Sequence, residues 1–365
     1  MKYYKLSELC SDIIDCPHST PDWKNSGIRV VRNFNLKNGN LDFSDGYFVD
    51  EKTYISRTQR AIPQEGDIII SREAPMGMVA IVPKGLKCCL GQRLVLLKVD
   101  KQKINPIYLL FILMSNFVQK QFKRADATGS IVSNLCIPDL KNIIIPVIED
   151  DQVLVTNLLS TINLKIILNK KINDNLQHMA YTKYMHMFYG KKSNGKLGDI
   201  IVEQPKSPIQ VGEAKEASGT VPFFTSGEAI LKWPEALATG RNCFLNTGGN
   251  ADVKFYVGES AYSTDTWCIS AKNDMADYLY LLLDSIKLEL NLKFFQGTGL
   301  KHLQKPLLRD RSIYIPSGAE LREFNLEVKP WLSMISDNIR ESEELISLRD
   351  WLLPMLMNGQ ANIQG

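Results

Sequence analysis

Residues 155–176 read VTNLLSTINLKIILNKKINDNL, and residues 328–349 read VKPWLSMISDNIRESEELISLR. In the first, Val155, Leu159, Ile162, Ile166, Asn169, Asn173 and Leu176 alternate steps of four and three. Adding 173 to each number gives Val328, Leu332, Ile335, Ile339, Ser342, Ile346 and Arg349. Such spacing lines one face of a helix and is the a/d seam of helices that pair. An amphipathic helix of an ordinary bundle has the same look over three heptads, but two copies in one register favour pairing. The polar seam positions Asn169, Asn173 and Ser342 suit a pair whose register is specified at some cost in stability. Pro330 lacks an amide donor and is expected to start or kink its helix.

Working outward, each helical stretch follows an Ile-Pro dipeptide, and these belong to a longer repeat. At a separation of 170, Tyr108-Leu109 falls on Tyr278-Leu279, Thr128-Gly129 on Thr298-Gly299, and Ile145-Pro146 on Ile315-Pro316. KLSELCSDII (5–14) pairs with KLGDIIVEQ (196–204) only at a separation of 191, so one frame carries two different inserts. Within 1–148, GIRVVRNF, GDIIIS, GMVAIVP and QRLVLLKVD read as short strands bounded by turn residues; VPFFTSG, RNCFLN, ADVKFYVG and WCISA do so in 220–270. Helices are expected from Pro106 to about Lys123 and from Asp274 to about Phe295, and KKSNGK (191–196) reads as a linker. The order is thus β-rich globule, long helix, β-rich globule, long helix: an α+β chain with boundaries at 1–148, 149–190, 191–317 and 318–365.

Composition agrees with a globular chain and excludes several classes. Of 365 residues, 44% are apolar and 23% charged, close to the average soluble domain. The longest strongly apolar run is Tyr108 to Met114, far below the roughly 20 residues a membrane span needs. The opening MKYYKLSEL has no apolar signal core, and seven cysteines without a C-x-x-C pair read as reduced thiols, so a cytoplasmic protein is expected. The net charge of +3 is uneven: residues 1–148 carry +6 and residues 318–365 carry −4. A +6 globule is a weak pointer to a polyanion.

The closing stretch LISLRDWLLPMLMNG (345–359) resembles the C-terminal repeat of the specificity subunits of type I restriction-modification systems, with its L-R-D-x-L-L-P-x-L-x-x-G ending. DCPHSTP (15–21) is similar to the D-x-x-H-x-T-P motif of that family's first recognition domains. IPVIEDDQ (145–152) resembles its entry into the central helix, and TGGNADVKFYVGESAYSTDTWCIS (247–270) a common second recognition domain. GAELREFN after Pro316 offers no counterpart of Gln152, so the second helix entry should be built differently. The resemblance implies two target recognition domains in pseudo-twofold repeat, each reading half of a bipartite double-stranded DNA site. Two long helices would pair as an antiparallel coiled coil, separate the readers and dock two methyltransferase (modification) subunits, which bind S-adenosylmethionine and methylate adenine. A motor-nuclease (restriction) subunit completes such complexes. The specificity subunit itself is non-catalytic, with no cofactor or metal. A helix from about Asp150 to Phe188 would be about 57 Å long at 1.5 Å per residue, more than the 34–36 Å of one DNA turn.

Base reading needs polar side chains in loops. The candidates are Arg72 in SREAPMGM (71–78), where Gly77 permits close approach; Gln92 and Arg93; and Thr128, Ser130 and Asn134 in ATGSIVSN (127–134). In the second half they are Thr247, Gly248 and Asn250 in NTGGNAD (246–252), and Thr298, Lys301 and His302 in QGTGLKHL (296–303). Each segment also reads as an ordinary turn, with an Arg72–Glu73 ion pair as the plain alternative for the first. For docking, Leu345, Leu348, Leu352, Leu353 and Leu356 of the last helix are the candidates. His18 reads as a loop-ordering residue rather than a catalyst. The eight-residue spacing of His178 and His186 is poor for a metal on one helix. NPIY (105–108) reads as a helix start with Pro106 first in the helix. A self-sufficient methyltransferase or nuclease with a fused reader is the rival, weakened by the lack of a nucleotide or cofactor loop.

Overall fold

The structure, a computed structural model, describes residues 1–43, 46–73, 75–126, 134–148 and 152–357. The chain divides into two units: Met1–Ile166 with Glu344–Gly365, and Ile167–Glu343. Each unit holds one β-rich globule and a part of each long helix.

In unit one, strand Lys2–Lys5 pairs antiparallel with Ile144–Val147, the strand containing Ile145-Pro146. A helical turn, Leu6–Leu9, leads into Cys10–Asp15. That strand edges an antiparallel sheet in the order Cys10–Asp15, Leu94–Val99, Ile68–Ser71, Val79–Ile81. A smaller sheet sets Ile28–Val31 between antiparallel Phe48–Val49 and parallel Cys88–Leu90. Unit two repeats this framework of three sheets, while a two-stranded pair in each unit, Leu36–Lys37 with Asn40–Leu41 and Phe295–Gln296 with His302–Leu303, has no match in the other. Gly195–Lys196 pairs with Ser312–Ile313, and the larger sheet runs Ile201–Glu203, Thr266–Ala271, Arg241–Asn246, Val253–Val257. Val221–Phe224 lies between antiparallel Ile230–Trp233 and parallel Ala261–Tyr262. The repeat seen in sequence is therefore a repeat of topology.

The continuous apolar strands are explained by cover on both sheet faces. Ile68, Ile70, Val95 and Leu97 enter one core, whereas Ile69, Leu94 and Leu96 enter another. In unit two, Cys243, Leu245 and Ile269 face one core, and Phe244 and Cys268 the other. Alternation of period two is preserved, but both sides are apolar because both are buried. All seven cysteines are free thiols, six of them buried.

The repeated Tyr-Leu has a structural job. Tyr108 and Tyr278 are buried, as are Leu109 and Leu279. The Tyr108 hydroxyl accepts from the Ile148 amide at 3.1 Å, and the Tyr278 hydroxyl donates to the Tyr314 carbonyl. Both phenols tie the globule's helix to the chain beside the Ile-Pro dipeptide. The first such helix is Pro106–Met114, opened by Asn105, whose Oδ1 accepts from the Ile107 amide at 2.9 Å. It does not reach Lys123 in one piece. Ser115 takes an extended conformation, donates to the Ile112 carbonyl and restarts a helix at Asn116–Asp126. Its counterpart likewise ends at Ser285 (Ala276–Ser285) and continues as short helical turns.

The central helix, Gln152–Phe188, has 37 residues and the C-terminal helix, Gly318–Met357, has 40, or about 55 and 60 Å. No residue of either predicted stripe is exposed. Within unit one, Val155 and Leu159 share a core with Leu353 and Leu356. Within unit two, Asn169 Nδ2 donates to Glu341 at 2.7 Å and to the Ser342 hydroxyl at 3.3 Å. Asn338 Nδ2 donates to Asn173 Oδ1 at 2.8 Å, and Lys183 pairs with Glu327 at 2.7 Å. Numbers rise on one helix as they fall on the other, so in each unit the helices run antiparallel. The seam asparagines are matched with polar partners across the pair, the arrangement that penalises a slipped register.

Three expectations need correction. Pro330 does not start its helix, which runs from Gly318 through it. The carbonyl that loses its donor belongs to Leu326, whose 79% exposure leaves it open to water. KKSNGK is held rather than loose: Lys191 pairs with Glu320 at 2.5 Å, Lys196 with Asp310 at 2.9 Å, and Gly195–Lys196 is a strand. Leu353 and Leu356, offered for partner docking, are buried in unit one's own core, and Leu352 packs against it; the heptad geometry turns them inward. Leu345 is half-buried and Leu348 is 42% exposed.

The second helix entry is indeed built differently. Ser317 and Glu320 form a capping box: the Glu320 amide lies 3.4 Å from the Ser317 hydroxyl, and the Ser317 amide donates to Glu320 at 2.8 Å. Lys191, then the Ser317 and Tyr314 hydrogen bonds, hold the Glu320 carboxyl down at about 2, below its ordinary 4.5. The folded chain thus binds this proton less tightly than the unfolded one. The stabilisation is complete above about pH 4.5 and is lost as pH falls towards 2. Glu320→Gln should lower the denaturation midpoint at pH 7, with the difference from wild type closing near pH 2. Equal midpoints at pH 7 would contradict this.

Candidate nucleic-acid interface

In unit one, four stretches distant in sequence meet beyond the end of strand Ile68–Ser71. The Arg72 amide donates to the Arg93 carbonyl at 2.8 Å, and the Arg72 carbonyl accepts from the Leu135 amide at 3.0 Å. The Arg72 side chain is spent on the same junction. Nε donates to the Leu135 carbonyl at 2.9 Å, one terminal nitrogen to both Asp15 oxygens at 2.9 Å, and the other to Asn134 Oδ1 at 3.3 Å. His18 Nε2 lies 3.0 Å from the second Asp15 oxygen, which makes it a loop-ordering residue. Gln92 donates to the His18 carbonyl. Glu73 pairs with Arg93 at 3.2 Å, not with Arg72. Arg72 is thus 12% exposed and mainly a staple, whereas Arg93 projects outward from a left-handed backbone at φ 66°. For a non-glycine residue that conformation stores strain, of a kind that clusters at functional sites. Gly77 serves packing instead of ligand approach: a Cβ there would lie 3.0 Å from the Phe122 ring, and its φ is +80°. Thr128 and Ser130 lie outside the described residues.

In unit two, the same junction recurs beyond strand Arg241–Asn246. The Thr247 amide donates to the Asp265 carbonyl at 3.0 Å, and the Thr247 carbonyl accepts from the Leu303 amide at 3.0 Å. Thr247 therefore stands where Arg72 stands, Asp265 where Arg93 does, and Leu303 where Leu135 does. The Gly249 amide donates to the Lys301 carbonyl at 2.9 Å, and Gly248 bridges His302. The two loops singled out separately in sequence are thus one surface. On it Asn250, Thr298 and His302 are exposed, while Thr247, Gly248 and Lys301 are half-buried. Among the described residues no carboxylate lies within ion-pair distance of Lys301. Asn246 was not selected from sequence, yet it orders the loop. Its Nδ2 donates to the Gly248 carbonyl at 2.7 Å and the Asn250 carbonyl at 2.5 Å, and its Oδ1 accepts from the Asp252 amide at 2.7 Å. An asparagine ending a strand before Gly-Gly is the signal that could have found it.

The same junction is thus built twice on one frame, each time lined by polar loops and basic side chains, as expected of a protein that binds a polyanion through two matched surfaces. The family described as Type I restriction modification DNA specificity domain matches residues 1–178. The Type I restriction enzyme MjaIX specificity subunit of Methanocaldococcus jannaschii is 22% identical, over 86% of this chain and 84% of that protein. The crystal structure of the type I restriction-modification S subunit from M. genitalium superposes with a TM-score of 0.55 at 16% identity, over 100% of this chain and 96% of that one. Residues 1–178 belong to the type I restriction-modification specificity-domain family, and the chain is a DNA-recognition subunit. No helix among the described residues is long and apolar enough to cross a membrane.

Proposed function

We propose that the globules at 1–148 and 191–317 each read one half of a bipartite double-stranded DNA target, and that the chain is non-catalytic and works in a complex. The observation that carries this reading is the duplicated junction, Arg72–Arg93–Leu135 in one unit and Thr247–Asp265–Leu303 in the other. One backbone frame holds different side chains at matching places, as two readers of different half-sites require. Groove readout by Arg93, Gln92 and Asn134 on one side, and by Asn250, Thr298 and His302 on the other, with Lys301 on a phosphate, is the mechanism. Arg72, Thr247 and Gly248 act chiefly by shaping those loops.

The helices at 149–190 and 318–365 dock two methyltransferase subunits, with a motor-nuclease subunit completing the restriction complex. Support comes from apolar side chains that face away from the seam. In unit one they include Leu348 and Trp351, beside half-buried Leu345; in unit two they include Leu168, Ile172 and Met179, 41–44% exposed. The test is methylome sequencing of cells producing this chain with its modification subunit. A bipartite adenine-methylated motif is expected, and methylation without a sequence motif would overturn the reading. The rival, a self-sufficient methyltransferase, is overturned if the isolated chain fails to bind S-adenosylmethionine.

Lys301 gives a narrower test. Lys301→Ala should weaken DNA binding and lower the slope of log K against log salt by about 1, as the loss of one phosphate contact does. Unchanged affinity and slope would remove it from the interface.

A further inference from the structure

Arg32 follows strand Ile28–Val31, and Gly91 follows Cys88–Leu90. These strands run parallel, with Val31 opposite Leu90, and the Gly91 amide donates to the Val31 carbonyl at 2.7 Å. Arg32 therefore emerges beside Gly91-Gln92-Arg93, the loop that forms part of unit one's candidate interface. A Cβ on Gly91 would lie 2.9 Å from the Val31 carbonyl oxygen and 3.2 Å from Arg32 Cγ, so glycine lets the arginine stem pass close to that loop.

The Arg32 guanidinium carbon lies 4.5 Å from the ring centre of Tyr47, 4.8 Å from Phe34 and 5.5 Å from Trp23. The rings also contact one another, Trp23 with Tyr47 at 4.8 Å and Phe34 with Tyr47 at 5.7 Å. Trp23 and Phe34 remain 39% and 36% exposed, so the cluster is at the surface. Ring faces attract the cation and limit its rotamers, but they do not satisfy its five N–H donors. Among the described residues the Arg32 side chain has neither a carboxylate partner nor a hydrogen-bond acceptor.

Structural arginines of the same unit behave otherwise. Arg57 donates to the carbonyls of Leu90, Ser19 and Pro17, and Arg72 to Asp15 and Leu135. Nor does the frame need a cation at this place. The matching position after Val221–Phe224 is Thr225, buried, with its hydroxyl donating to the Ala229 carbonyl at 2.7 Å.

We propose that Arg32 is a specificity-determining residue of the first reader, its guanidinium edge taking a paired acceptor on a base in the major groove, such as O6 and N7 of guanine. Trp23, Phe34 and Tyr47 are positioning residues for it. A phosphate accepts a cation in many orientations and is served by lysine; a planar fork held between rings has the directional demand of a base edge. The inference rests on the DNA-reading function proposed above.

Arg32→Lys keeps the charge beside the rings and removes the planar fork. In the complete chain produced with its modification subunits, methylome sequencing should show the preference at one position of one half-site relaxed on the order of tenfold or more. The other half-site stays intact, and the thermal midpoint is unchanged. Arg32→Gln, which removes the charge but keeps a polar side chain, should relax the same position. If the wild-type motif is unchanged in Arg32→Lys, or if all sites lose methylation equally as for a phosphate contact, the inference is overturned while the function stands. A wild-type chain that directs no motif overturns both.

Discussion

Exchanging residues 191–317 for the matching segment of a relative with a different target will change one half of the methylated motif completely and leave the other half as it was. Each globule has its own cores, with Ile68, Leu97 and Tyr108 in one and Cys243, Ile269 and Tyr278 in another, so the loops of each are shaped locally. The transplant has to respect what the segment gives the retained helices. Tyr278 packs its ring 5.2 Å from Phe188, Tyr314 binds Glu320, and Ser317 caps the C-terminal helix. A donor carrying a tyrosine at the first place and a Ser-x-x-Glu entry meets those demands. Methylome sequencing of cells producing the chimera reads the outcome, and a motif changed in both halves, or in neither, would sink the two-reader account.

The largest expected loss of stability is that of Asp277→Ala, about 3–5 kcal/mol. Asp277 is fully buried, and Arg241 grips both its oxygens, with Nε at 2.7 Å. The same guanidinium reaches the C-terminal helix, donating to the Ser333 hydroxyl at 2.9 Å and the Lys329 carbonyl at 3.2 Å. Burial pushes the Asp277 carboxyl up, and Arg241 opposes that shift by favouring the charged form. Removing the carboxylate leaves a desolvated cation without its counter-charge, which costs far more than the net worth of the pair. Arg241 also starts the strand whose far end, Asn246, orders the candidate loop, so the loss should be felt in DNA binding. Chemical denaturation checks the first effect; a cost under about 1 kcal/mol would contradict it. The double change Arg241→Met with Asp277→Leu should recover most of the stability, because no charge is then left buried alone.

Much of the fold was legible because its signals are local. Strands such as Ile68–Ser71 and Arg241–Asn246 declared themselves as short apolar runs between turn residues. The helical seam was read position by position, and the stripe is inward-facing along its length. The strands Lys2–Lys5 and Gly195–Lys196 were not anticipated, since two to four partly polar residues have no periodicity to detect; partners more than a hundred residues away define them. The leucines of the last helix show the opposite failure. LRDWLLP looks like an apolar face offered to a partner, yet Leu353 and Leu356 fill the space beside Val155 and Leu159.

For the site, the sequence by itself marked candidate loops at matched places of a repeat, since duplication of Thr-Gly and Ile-Pro at one separation is visible in the letters alone. Only the tertiary structure decided how they are used. Arg72 looked like an exposed tip until Asp15, 57 residues away, was found across its guanidinium. The Thr247 and Thr298 loops became one surface when the Leu303 amide met the Thr247 carbonyl. Arg32 drew no notice in sequence and gained its rings only when Trp23, Phe34 and Tyr47 closed around it. The physical reason is common to all three. Periodicity and turn chemistry act between near neighbours, but whether a polar side chain is spent on the fold or left for a ligand depends on partners that only folding brings within 3 Å.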